Sequence, residues 1–218
     1  MRFSHFNRSP LVRQLAAWWP VEADDFPHRR DIGERLGEWL NVADAIALHS
    51  AHQSLPAIRT LRRAGPPPHS DAAQAELQRV RATLAKAIQA PPIHPVEAAD
   101  AEFAPHHQRY LDQQRRMEMA IDAFRGHLRQ MLAQATPRLA QLAALDAVLD
   151  QMLGGREQKL LAGVPAFLKA RFQLLRQSDP DGWPPHFEHD FQQTLRAELE
   201  LRLQPVTGLV EALNHDTN

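Results

Sequence analysis

The stretch FAPHHQRYLDQQRRMEMAIDAFRGHLRQM, residues 103–131, decides the fold. Within it Phe103, His107, Tyr110, Gln114, Met117, Ile121, Phe124, Leu128 and Met131 recur at alternating intervals of four and three. That spacing holds one face of a helix against a partner helix, as in a coiled-coil seam. Two of the nine, His107 and Gln114, are polar, and polar seam residues set register at some cost in stability. The partner follows at once. Thr136-Pro137 reads as a cap and first helical residue, opening a second stripe of Leu139, Leu142, Leu145, Leu149, Met152 and Leu153. It resumes as Leu160, Leu161, Val164, Phe167, Leu168, Phe172 and Leu175. So short a connection after Ala135 folds the two helices back as an antiparallel hairpin. Gly154-Gly155 and Pro165 predict a break or kink in its second arm.

Outward from the hairpin the chain keeps reading as helix. Ser9 caps a helix opened by Pro10 and carrying Leu11, Val12, Leu15 and Ala16, which Pro20 stops after Trp18-Trp19. A second helix is expected from near Asp31 past Ala51, with Ile32, Leu36, Leu40, Ala43 and Ala47 on one face, and Ser54-Leu-Pro56 begins a short turn of helix ending at Arg62-Arg63. After the break at Gly65-Pro-Pro-Pro68, a third helix capped by Ser70 or Asp71 runs to about Gln89 through Leu77, Val80, Leu84 and Ile88. The turn cluster Ser178-Asp-Pro-Asp-Gly-Trp-Pro-Pro185 introduces a last helix, with Phe187, Phe191, Leu195, Leu199 and Leu203 four apart, a bend expected near Pro205 and a frayed tail after Asn214. Residues 136–177 hold six basic and three acidic side chains and residues 178–218 two basic and eight acidic, so the two segments are expected side by side.

Composition narrows the class. At 218 residues, with 44% hydrophobic and 23% charged side chains, the chain can build a true core and is not a disordered or fibrous sequence. Only nine glycines occur, and no apolar–polar alternation persists, which argues for helix throughout. The absence of cysteine excludes disulfides, thiolate nucleophiles and cysteine-ligated metals. A net charge of −1 gives no global attraction for nucleic acid or anionic lipid. Met1-Arg-Phe-Ser-His-Phe lacks the apolar core of a signal segment, which makes the cytoplasm the expected location.

Candidate sites are few. Twelve histidines invite a metal reading, and His49 with His52, and His186 with His189, are pairs three apart on expected helices. A helical metal-dependent hydrolase built on these four is the alternative reading; a di-iron bundle would need Glu-x-x-His motifs, which the sequence lacks. Asp146 and Asp150, one turn apart, are expected to be solvated, or paired with Arg129 and Arg125 of the antiparallel arm, rather than to work as an acid and a base. Phosphate-cradling and serine-nucleophile motifs are missing. Arg59, Arg62, Arg63 and the Arg115-Arg116 pair suggest nucleic acid only weakly, because Asp112 and Glu118 flank the second group. The N-terminal segment differs in kind: Phe3, Phe6, Arg13, Trp18 and Trp19 combine aromatic and basic side chains without a nearby acid, a composition suited to capping the protein's own core, to docking a protein partner or to lying in a membrane interface.

Several runs together resemble an uncharacterised bacterial family, domain of unknown function 3348. They are Glu34-Arg-Leu-Gly37-Glu-Trp39 with Asp44-Ala-Ile46, Glu102-Phe-Ala-Pro105 with Arg109-Tyr110, Leu142-Ala-Ala-Leu-Asp146-Ala-Val-Leu149-Asp, and Glu198-Leu-Glu-Leu-Arg202-Leu-Gln-Pro205-Val. The similarity covers about residues 8–62 and 96–213 and leaves the Pro-rich stretch between them variable. Genes of that family often adjoin those of a MotA- or TolQ-like proton-channel subunit and an OmpA-like envelope protein. The resemblance therefore implies a cytoplasmic accessory of an envelope complex and supplies no active site.

The expectation is thus an all-α bundle built on a long antiparallel helical hairpin. Its parts are residues 1–63, an N-terminal helical segment; 64–98, a Pro-interrupted linker with one helix; 99–177, the hairpin; and 178–218, an acidic C-terminal helix, all in one cooperative domain. The expected function is that of a non-enzymatic helical interaction protein, without catalytic residues or cofactor. A protein partner is expected, a membrane-complex subunit among the candidates, without nucleic acid or direct membrane contact, and the chain is compatible with a homodimer.

Overall fold

A computed structural model describes residues 9–18, 41–59, 70–91 and 102–217. Of these, 92% are helical and none is in a strand, which establishes the all-α class. The helices are α1 (Pro10–Trp18), α2 (Val42–Ser54), α3 (Ser70–Gln89), α4 (Phe103–Ala135), α5 (Pro137–Leu161), α6 (Val164–Ser178) and α7 (Trp183–Thr217), with a 3-10 turn at Leu55–Ala57 after α2. No described helix is long and apolar enough to cross a membrane.

The expected start signals act where the sequence places them. The Ser9 hydroxyl accepts from the Val12 amide at 3.2 Å ahead of Pro10. Thr136 Oγ1 accepts from the Leu139 amide at 3.3 Å, and Pro137 occupies the first position of α5. Thr136 alone separates α4 from α5, so the chain reverses. Arg129 meets Asp146, Arg125 meets Asp150 and Glu118 meets Gln158, one number rising as the other falls. That is an antiparallel pair. Between α6 and α7 the Asp179 carboxylate accepts from the Gly182 amide at 3.0 Å. A Cβ at Gly182 would push this carboxylate aside, at the cost of its hydrogen bond.

Four expectations require correction. The helix expected from Asp31 does not run unbroken through Asn41, which is extended (φ −88°, ψ 174°) and caps α2: its side chain accepts from the Asp44 amide and the Asp44 carboxylate accepts from its own. Residues 31–40, with Ile32, Leu36 and Leu40, lie outside the described residues, as do Arg62 and Arg63. Next, α5 runs straight through Gly154-Gly155, and the break falls at Ala162–Gly163, ahead of Pro165 in the first turn of α6. An i−4 ladder tolerates glycine at a modest cost, but a proline there removes a donor and clashes. Third, the buried line of α4 is Tyr110, Gln113, Met117, Ile121, Phe124, Leu128 and Leu132. It repeats every eleven residues rather than seven, so His107 is exposed and Met131 gives way to Leu132. Fourth, the tail is helical through Thr217, and the Thr136 hydroxyl donates to the Asp216 carboxylate.

At the centre of the bundle, beside the hairpin, lies α7. It touches α1, α3, α4, α5 and α6. Phe187, Phe191, Leu195, Leu199 and Leu203 are all at most 2% exposed, and burying each contributes about 1.5–3 kcal/mol of apolar transfer free energy. Pro205 sits inside this helix on its exposed side. Parallel to α7 runs α4, since Phe103 meets Phe187 and Tyr110 meets Phe191. Leu77, Leu84 and Ile88 of α3 complete the core.

Candidate functional site

Three polar constellations sit among these helices, and each begins with residues the bundle brings together from distant parts of the chain. In the hairpin, Arg125 donates to Asp146 through Nε at 2.9 Å and Nη2 at 2.6 Å, and to Asp150 at 2.6 Å. Arg129 completes a square, at 2.7 Å to Asp146 and 2.8 Å to Asp150. Burial alone would raise the pKa of Asp146, but hydrogen bonds from both guanidiniums outweigh it and hold the carboxyl below its usual range. These aspartates pair with the two arginines, one of the two arrangements the sequence allows, and every one of their carboxylate oxygens accepts from a guanidinium.

A second constellation surrounds Glu198, which is fully buried on α7. Its carboxylate accepts from the Tyr110 hydroxyl, from Gln114 at 2.9 Å and from Arg202 at 2.8 Å. Burial, followed by the adjacent carboxylate, pushes the Tyr110 hydroxyl pKa upward. Arg202 also lies 3.9 Å from Glu157, whose pKa burial raises. Gln114, a polar member of the expected seam, therefore satisfies a buried acid. Nothing in the local pattern singles out Glu198, because Glu-x-x-x-Arg pairs are common on solvated faces. The only sequence signal is that it falls, with Asp44, Arg109, Tyr110, Asp146 and Arg202, inside the runs that carry the family resemblance.

The third constellation closes the aromatic end. His106 is packed edge-on against Phe187 at 4.9 Å between ring centres and lies near Phe172 and Phe191. Burial lowers its pKa, and the charges of Glu188 and Arg109 act in opposite directions on it. Arg109 makes a two-pronged pair with Glu188 at 2.7 and 2.8 Å while standing over the Phe191 ring at 4.7 Å. Arg171 of α6 pairs with Asp190 of α7 at 2.7 Å, joining the basic and acidic segments of the sequence.

The candidate residues are distributed as follows. His49 and His52 lie exposed on α2, and His186 and His189 lie exposed on α7. The His186 ring is within hydrogen-bond distance, 3.0 Å, of the Gly182 carbonyl, and His49 is 2.9 Å from the Gln53 amide. Among the described residues no three His, Asp or Glu side chains come together as a metal-holding group. Of the N-terminal set, Phe3, Phe6 and Trp19 lie outside the described residues. Leu11 is buried on the core, Leu15 and Trp18 pack against it, and the Arg171 guanidinium stands over the Trp18 ring at 5.7 Å. Arg13 faces outward. Arg59 donates to the Pro56 carbonyl, and Arg115 and Arg116 are exposed beside Asp112.

Large apolar side chains also stand in solvent. On α6 the inner face of Val164, Leu168 and Phe172 is buried, while Phe167 and Leu174 on the outer face are 40% and 49% exposed, with Ala170 between them. On α2, which buries no residue, Val42 and Ile46 are 77% and 64% exposed. α2 is tied to α5 by the Asp44–Arg156 ion pair. A hydrogen bond from the Asn41 backbone and then Arg156 hold the Asp44 carboxyl below its usual pKa.

Fold and site together define a helical bundle whose semi-buried charges are matched to one another across helix contacts, with apolar side chains left on outer helix faces. The chain belongs to the family described as Protein of unknown function (DUF3348), whose sequence pattern matches residues 1–215, the Pro-rich stretch included. No curated protein and no solved structure matches it.

Proposed function

We propose that this protein is a non-enzymatic helical interaction module. One observation carries the reading: Phe167 and Leu174 stand exposed on α6, seven residues apart, beside the face of the same helix that packs Val164, Leu168 and Phe172 into the core. Exposed apolar side chains at helical spacing on a rigid helix are what a partner helix or groove needs to dock. The ion-paired carboxylates support the same reading, since Asp146, Asp150, Glu188 and Asp190 each have an arginine partner that ties one helix to another. The more specific form, a cytoplasmic accessory of a proton-channel envelope assembly, rests on the family resemblance.

The test is co-purification from the native host with full-length chain against a Phe167→Glu, Leu174→Glu double variant. Both positions are exposed, so the variant keeps its helicity and unfolding midpoint and loses a stoichiometric partner. An unchanged set of co-purifying proteins overturns α6 as the docking face.

A further inference from the structure

Most semi-buried arginines of the described residues have a carboxylate partner: Arg81, Arg109, Arg125, Arg129, Arg156, Arg171 and Arg202 each make an ion pair. Arg13 and Arg196 have no ion-pair partner among the described residues, and they line the same groove. It runs between α1 and α7, walled by Arg13, Gln14, Gln193 and Arg196, with Ala197 and Glu200 along it and Pro10, the first residue of α1, at its end. The Nε of Arg196 is buried without a hydrogen bond, and so is the Nε of Arg81, whose guanidinium reaches Glu200 at 3.2 Å. The groove thus holds two guanidiniums without an ion pair, and its one carboxylate, Glu200, is already engaged by Arg81. The first turn of α1 adds the positive pole of a helix that contains no acid.

A buried, unbonded guanidinium N–H loses its hydration without compensation, which leaves the Arg196 side chain incompletely satisfied by the protein itself. Guanidinium forks match carboxylates in a planar, two-pronged geometry. The Gln14 and Gln193 side-chain amides on the walls can each donate and accept, which suits the peptide groups of an extended or helical chain. Gln14 is already oriented, since its Nε2 donates to the Asp190 carbonyl at 3.2 Å. The walls thus combine cationic forks with peptide-compatible amides.

We propose that the α1–α7 groove binds an acidic segment of a partner polypeptide, with Arg13 and Arg196 receiving its Asp or Glu side chains. The inference rests on the interaction-module reading and names the chemistry of a contact separate from the α6 face. It gives α1 two roles: Leu11, Leu15 and Trp18 fasten it to the core, and its outward Arg13 contributes to recognition.

The experiment measures fluorescence anisotropy of a short labelled Glu-rich peptide on purified full-length protein, beside the same peptide with Gln at every Glu. Arg13→Gln and Arg196→Gln are each expected to weaken Glu-peptide binding about tenfold, the scale of one charge-assisted hydrogen-bond pair. Added salt weakens it further, and the unfolding midpoint stays in place because neither guanidinium has an ion pair to lose. Equal binding of the Gln peptide, no binding of either, or arginine variants that bind like the natural protein overturn the proposal. Displacement of the peptide by equimolar inorganic phosphate overturns it too, in favour of a free-anion site. Because the probe meets purified protein alone, its failure is separate from failure of partner capture through α6.

Discussion

α4 meets its two long neighbours through different balances of chemistry. Against α7 rings lead, since Phe103 and His106 reach Phe187 and Tyr110 reaches Phe191, with the Arg109–Glu188 pair and the Gln114–Glu198 bond beside them. Against α5 it presents Arg125 and Arg129 to Asp146 and Asp150, while the α5 leucines at 142, 145 and 149 are only half-buried. Apolar burial is non-directional and supplies most of the stability, whereas a guanidinium–carboxylate square fixes register and adds less net free energy, since desolvation offsets much of its attraction. The rings thus lend adhesion to the α4–α7 contact, and the ionic square lends alignment to the α4–α5 contact.

The sharpest way to break this comparison is to remove one ring from the α7 side. Phe187→Ala is expected to cost about 3–5 kcal/mol, from lost transfer free energy and the cavity left behind, and chemical denaturation measures it. A loss below that of the ionic variant next described would reverse the ranking of the two contacts. Asp146→Ala leaves Arg125 and Arg129 sharing Asp150, and it is expected to cost about 2 kcal/mol, the scale of hydrogen bonds to charged groups in a half-buried setting. The cost should shrink in high salt, unlike that of Phe187→Ala. Because the Asp146 carboxyl is held below its usual pKa, the square stabilises the fold above the unfolded value and loses that contribution as pH falls through the folded one. An acid-unfolding midpoint that does not rise in pH for Asp146→Ala contradicts that assignment.

Smaller changes sharpen the picture. At Gly155, mid-helix on α5, a Cβ meets no atom within 4 Å, so Gly155→Ala is expected to stabilise by about 0.5–1 kcal/mol through helix propensity and a less mobile unfolded chain. A destabilisation would place a neighbour at that site. The slightest effect belongs to His106. Burial lowers its pKa from 6.5, so the unfolded chain takes up a proton before the folded one does. Stability is then full above pH 6.5 and declines as pH drops from there through the lowered folded value. His106→Phe should flatten this window, read as the unfolding midpoint at a series of pH values.

The legible and the illegible parts of this protein divide by range. Helix starts at Ser9-Pro10 and Thr136-Pro137, the turn at Asp179–Gly182 and the hairpin reversal could all be read directly, because caps, prolines and short connections act on the backbone within a few residues. The Arg125/Arg129 pairing with Asp146/Asp150 was legible as one of two alternatives, since antiparallel helices joined by one residue bring those positions opposite each other, but solvated aspartates fitted the sequence equally well. The drift of the α4 stripe from a seven- to an eleven-residue repeat was not. A helix wedged between α5 and α7 turns toward whichever neighbours bury more surface, and both periods fit much of the same apolar pattern.

By itself the sequence determined the helical class, most helix ends and the hairpin, because these follow from local backbone chemistry and periodicity. Only the tertiary structure decided that α7 is the hub, that Glu198 is a buried acid satisfied by Tyr110, Gln114 and Arg202, and that Arg13 and Arg196 share a groove. Those outcomes depend on which of several similar apolar stripes face one another between helices far apart in the chain, as Tyr110 and Glu198 are at a separation of 88 residues. That choice is made by the total area buried in the assembled bundle, a quantity no stretch of the chain contains alone.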